Sequence, residues 1–179
     1  MSARDRYEPG PPDRAIIEKD GARWVLVLRR EFAHPPDLVW EALTDPGQLR
    51  EWAPFDADAN LGEAGRSVRL TTVGAPVLHV TETRISRADR PNLLVYDWGG
   101  SEMRWELSAT ATGTALTLWT SIDRAYIAMG AAGWHLCLDV LAHLLSGDPM
   151  GRIVGPDAMG FEPWHRLHQG YRQRFEEAE

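Results

Sequence analysis

Cysteine is nearly missing from this sequence of 179 residues. Cys137 is the only one, so no disulfide can close within the chain and a metal site built on several thiolates is excluded. Such usage fits a reducing compartment, and we expect a cytoplasmic protein of bacterial type. Basic runs are missing too, and the formal net charge is -7. That balance argues against nucleic acid or an anionic membrane as the main partner, since both reward clustered Lys and Arg. Neither the opening Met1 to Arg14 nor any later stretch holds an uninterrupted apolar run of secretory or membrane-spanning kind. Nucleophile signatures are lacking as well. Ser67, Ser101, Ser108, Ser121 and Ser146 have no Gly-x-Ser-x-Gly setting, and Cys137 sits in an apolar stretch rather than an electropositive one. Gly130 and Gly133 stand near a helix start, but no lysine motif borne on a strand accompanies them as a phosphate cradle would require.

What remains is the composition of one globular domain, with 44% hydrophobic and 25% charged residues. Eight tryptophans are more than core packing usually demands. Large aromatics serve equally as packed core or as the lining of a cavity, and composition leaves both open.

Met1 to Asp20, with Pro9, Gly10, Pro11 and Pro12 among charges, reads as a flexible arm outside the fold. From Arg23 to Phe32 a β-rich run forms a first strand. Pro35 and Pro36 stop it and start a helix carrying Leu38, Val39, Ala42 and Leu43, and a second short helix runs past Leu49 to Trp52. Beyond a turn at Glu63 to Gly65, strands recur at Val68 to Thr72, Val77 to Ile85, Asn92 to Trp98, Glu102 to Thr110 and Thr114 to Ile122. Strands in succession without helices between them predict an antiparallel meander. Met103, Trp105, Leu107 and Ala109 should share its concave face with Leu116, Leu118, Thr120 and Ile122. The longest helix is expected over Ala131 to Ser146, its apolar arc covering about half the circumference. That is wider than a helix resting on one sheet needs, so a cavity or a further helix should meet the second flank. A looser stretch, Met150 to Gly160, precedes a last helix with Trp164, Leu167, Tyr171 and Phe175 on one stripe. The expected divisions are therefore an arm over 1–20, the main domain over 21–147, and a loop and helix over 148–179 packed on it.

The run Val39-Trp40-Glu41-Ala42-Leu43-Thr44-Asp45-Pro46, then Leu49 and Trp52-Ala53-Pro54, resembles the segment after the first strand in the SRPBCC superfamily. Gly133-Trp134 with Leu138 and Leu141, and the strand Thr114 to Thr120, are similar to the branch named for the activator of heat-shock protein 90 ATPase. The resemblance covers roughly residues 22–147. It implies an α+β helix-grip (START/Bet v 1-like) fold: a curved antiparallel sheet around a long helix, with a hydrophobic cavity between them. It also implies an apolar small-molecule ligand, or in a minority of members a cyclase, aromatase or hydrolase. Ala53 and Thr120 depart from that branch, where a second Trp and a His are usual, so the pocket should be wider and less basic. Co-chaperone activity is the less favoured implication, because the eukaryotic activators carry a further domain.

The expected ligand-binding set is Trp52, Phe55, Trp98, Trp105, Leu118, Thr120, Trp134, Leu138 and Leu141. No cofactor or metal is called for, and a homodimer is the alternative use of exposed tryptophan. His135, Asp139 and His143, at i, i+4 and i+8, fall in the gap of the apolar arc and read as a solvated face rather than a zinc site. His34, His165 and His168 read as surface residues. Glu82 would enter the cavity only if Leu78 and Val80 face inward. With His135 it is the weak candidate for acid or base should the protein turn substrate over.

Overall fold

In a computed structural model, which describes residues 1–178, strand pairing begins earlier than expected. Ala15–Asp20 form β1, antiparallel to β2 (Arg23–Phe32), with Ala15 opposite Leu28 and Asp20 opposite Arg23. The reading of residues 1–20 as an arm outside the fold is thus corrected. Ala15-Ile16-Ile17 supply apolar and β-branched residues to a sheet edge, and Ala3 and Tyr7 are buried ahead of them.

Pro35 caps α1 (Pro36–Thr44), and the Asp45 carboxylate accepts from the Gln48 N–H at 2.9 Å to start α2 (Pro46–Trp52). Next come β3 (Phe55–Ala57), β4 (Ser67–Thr72), β5 (Val80–Arg84), β6 (Arg87–Asp89), β7 (Leu93–Trp98), β8 (Ser101–Ala109) and β9 (Thr114–Ser121). The predicted meander holds from β6 to β9, and β2 closes on the last strand to give a six-stranded antiparallel sheet, β1-β2-β9-β8-β7-β6. β3, β4 and β5 separate into a smaller sheet. Between the two, threonine hydroxyls replace ladder bonds: Thr83 accepts from the Asp97 N–H at 3.1 Å and Thr81 from the Gly99 N–H at 3.0 Å. Val77 and Leu78, expected in a strand, stand exposed in the β4–β5 loop.

The concave face is as the alternation predicts for Met103, Trp105, Leu107, Leu116, Leu118 and Thr120, all buried; Ala109 is exposed at the strand end. Against this face lies α3 (Ile127–Leu145), one turn longer at its start than the sequence suggested. By composition it could cross a membrane, yet over half of its most apolar window is buried within the fold. Both expected fillers of its second flank are present. α5 (Glu162–Glu177) packs along it, burying Trp164, Leu167, Tyr171 and Phe175, and the single-turn α4 (Pro156–Met159) leads into α5 beside an open cleft.

A candidate ligand cleft and a buried polar network

The expected lining residues pack against one another at the heart of the fold. Trp52 meets Trp105 edge-on at 6.1 Å, Trp105 meets Trp134 at 5.6 Å, Trp134 meets Trp98 at 5.9 Å, and Trp98 meets Phe55 at 5.2 Å. Such pairs contribute about 0.5–1.5 kcal/mol each beyond area burial. Trp52 donates to the Ala42 carbonyl and Trp105 to the Tyr96 hydroxyl, and the Thr120 hydroxyl turns to the Met103 sulfur. Phe55, Leu118, Leu138 and Leu141 are sealed. Seven of the nine predicted residues therefore form solid core, and only Trp98 and Trp134 reach an opening.

That opening is a cleft of about 360 Å3 at one side of the grip. Met129, Gly130, Gly133, Trp134 and Cys137 of α3 form one wall, and Ile153, Val154, Gly155, Ala158, Met159 and Trp164 form the other. Pro54 and Trp98 line it as well, with Ile122 and Tyr126 beside the start of α3. None of its lining residues is charged. A Cβ built on Gly133 would meet nothing within 4 Å, although the residue lies in mid-helix. Burial pushes the Cys137 thiol pKa up to about 12, so the wall offers a protonated, unreactive sulfur. The signals missed in the sequence were the apolar pair Ile153-Val154 between glycines, and Trp164 at the foot of the last helix.

The outer wall is held at several points. Arg152 donates to the Leu49 carbonyl at 3.2 Å and to Asp56 at 2.5 Å. Gly155, at φ +57, lies so close to Gly74 that a Cβ would come within 3.0 Å of the Gly74 Cα. From outside, the N-terminal strap closes over it: Arg4 pairs with Asp157 at 2.7 Å and lies over the Phe161 ring, Tyr7 stacks on the same ring, and Arg6 reaches Asp148 at 3.4 Å.

On the opposite side of α3 the predicted solvated stripe is corrected. His135 is fully buried, its Nδ1 2.7 Å from the Tyr171 hydroxyl of α5. Asp139 is only 16% exposed and pairs with Arg30 at 2.8 Å, while the Tyr7 hydroxyl donates to it at 2.6 Å. His143 is the most exposed of the three. His135 Nε2 stands 3.4 Å from Asp139 without hydrogen-bond alignment. Burial works against an ionised Asp139, but His135 and the Arg30 guanidinium outweigh it and Tyr7 adds to them, holding the carboxyl below the ordinary carboxylate range. The Tyr7 hydroxyl is pushed up by burial and by Asp139, and Tyr171 chiefly by burial. These groups hold α3 between β2, α5 and the strap.

Neither weak acid–base candidate lines the cleft. Glu82 is exposed and paired with Arg69 at 2.9 Å, because Val80 and Leu78 point outward and Thr83 takes the inward place. His135 sits among the network behind α3. Among the remaining histidines, His165 and His168 pack against the Trp164 ring, and His34 contributes its carbonyl to the Thr114 hydroxyl. The described residues contain no cluster of three or more His, Cys, Asp or Glu able to hold a metal.

Solved structures share this fold. A protein from Rhodobacter sphaeroides is 22% identical, with TM-score 0.60 over 74% of this chain and 98% of its own. CalU16 from Micromonospora echinospora is 22% identical, with TM-score 0.62 over 88% and 90%. DynU16, from the dynemicin biosynthetic locus, is 25% identical, with TM-score 0.61 over 71% of this chain and 49% of its own. No curated protein matches the sequence significantly. The sequence model described as Activator of Hsp90 ATPase homolog 1-like protein matches residues 33–146, which take in α1, the strands from β3 onward and the whole of α3. The chain therefore belongs to the Activator of Hsp90 ATPase homolog 1-like family, within the helix-grip superfamily.

Proposed function

We propose that this protein binds an uncharged, apolar small molecule in the cleft between α3 and the 153–159 segment. The observation that carries the reading is the open face of Gly133. A glycine in mid-helix costs about 1 kcal/mol relative to alanine, and here an alanine methyl would project into space that has no charged lining. Affinity would come from removing ligand surface from water, at about 25 cal/mol per Å2. A volume of about 360 Å3 suits a compact ligand of two or three rings.

The family's name points to ATPase activation, whereas DynU16 belongs to a locus that makes a small molecule. An uncharged concave cleft fits the second association better than a protein surface. Titration with fluorene, a rigid apolar tricycle, tests the reading. Binding should quench and shift tryptophan emission, since Trp98, Trp134 and Trp164 border the site. No response, with no retention in equilibrium dialysis, would overturn it.

A further inference from the structure

Three tryptophans line the cleft, and they differ in what their indole N–H does. Trp98 donates to the Thr72 hydroxyl at 3.2 Å. Trp134 and Trp164 make no hydrogen bond among the described residues. In the aromatic chain of the core, Trp52, Trp98 and Trp105 all have acceptors, which leaves Trp134 as its one unpaired donor. The polar side-chain atoms that are wholly buried without a partner are Arg30 Nε, His135 Nε2 and Arg152 Nε. The Trp134 nitrogen is not among them, so it keeps access to space although the residue is only 6% exposed. Its neighbour in sequence is Gly133, whose face toward the cleft is open.

Resting on the ligand-binding reading above, we propose that Trp134 is the specificity-determining residue of the cleft. Its N–H reads a carbonyl oxygen on a flat, uncharged aromatic ligand, of the aryl ketone or quinone class, that lies over Gly133. The cleft contains no carboxylate, amide or imidazole side chain, and the exposed Tyr126 brings its one side-chain oxygen, so a ligand rich in hydroxyl donors would leave most of them unmatched. A carbonyl needs only a donor. Flatness follows from the walls: indole rings and proline on some sides, and the bare helix backbone at Gly133 on another.

Fluorenone and fluorene share one ring skeleton and differ by the carbonyl, so the pair isolates the proposed contact. In equilibrium dialysis the wild-type protein should hold fluorenone about fivefold more tightly than fluorene, the size of one net hydrogen bond. W134F keeps an aromatic ring and removes the N–H; it should bring that ratio near one, and because the ratio of the two probes is taken within each protein, any change the smaller ring makes to both affinities cancels in the double-mutant cycle. In W164F the ratio should persist. A second readout needs no variant: of the eight indole N–H resonances of the 15N-labelled protein, the one with an NOE to the Gly133 amide should move downfield with fluorenone and not with fluorene. Equal binding of both probes, or a preference lost in W164F and kept in W134F, would overturn the assignment to Trp134 and leave the cleft standing. Failure of both probes to bind would instead remove the ligand-binding reading itself.

Discussion

Filling the open face of Gly133 should move stability and binding in opposite directions. Gly133 lies within the 19-residue α3, and a Cβ there meets nothing within 4 Å. Gly133→Ala therefore gains the helix-propensity difference of about 1 kcal/mol with no steric cost. For a domain of this length that corresponds to a rise in Tm of about 2–4 °C. Gly133→Leu extends an isobutyl group into the cleft beside Trp134. It should keep the wild-type Tm or exceed it, while fluorene binding falls more than about tenfold because the probe and the side chain compete for one volume. Gly130 supplies the contrast one turn earlier, where a new Cβ would come within 2.4 Å of the Ile122 Cδ1. Gly130→Ala must displace that methyl, so its gain should be smaller than that of Gly133→Ala or should reverse. Thermal melts and dialysis on the three variants give the answer. A lower Tm for Gly133→Ala, or undiminished probe binding by Gly133→Leu, would refute the claim that α3 is left bare at this point to make room for a ligand.

The network behind α3 yields further expectations. Arg30→Met leaves the Asp139 carboxylate buried without its cation and should cost about 3–5 kcal/mol in urea unfolding; Arg30→Met with Asp139→Leu should lose less than the single change. Tyr7→Phe removes the hydrogen bond to Asp139, a loss of about 1.5–3 kcal/mol where the acceptor is charged, and amide exchange across residues 148–161 should accelerate as the strap loosens. Asp139 has a folded pKa below its unfolded value of about 3.9. Its contribution is therefore complete above that pH and fades as the pH falls through the lower folded value, a dependence that Asp139→Asn should flatten. Cys137, with its thiol pKa raised to about 12, should react slowly with a disulfide reagent at pH 8 in the folded protein and rapidly in denaturant.

Period-two alternation and the helical arc were enough to place β7, β8, β9 and α3, because each buries a face whose pattern is local. The two sheets were not separable in the same way. β5 turns away from β6 and touches β7 through threonine hydroxyls, which no hydropathy pattern records. The polar stripe of α3 was misjudged for a related reason: Tyr7, Arg30 and Tyr171 come from three distant segments. One local sign was present. Leu26, Leu28 and Arg30 fall on the same face of β2, so an arginine aimed inward called for a carboxylate, and Asp139 was the acidic residue on the opposing helix. The tryptophans could be counted but not assigned, since core and cavity use the same residue. What separates them is whether the ring meets another ring, as Trp52 meets Trp105, or open space.

The two sides of α3 depend on each other. On the cleft side the helix carries two glycines, Gly130 and Gly133, a tryptophan N–H without an acceptor, and open space over Gly133, all of which weaken its hold on the fold. Opposite, Arg30, His135, Asp139, Tyr7 and Tyr171 tie the same helix to β2, α5 and the strap through contacts of 2.6–2.8 Å. Fixing one side firmly is what lets the other stay unfilled without the helix sliding in to close the gap. The strap also reaches across to Asp157 and Phe161, so the residues that fix α3 bear on the outer wall as well. A substitution at Tyr7 should therefore be felt in the cleft, although Tyr7 is not among the residues that line it.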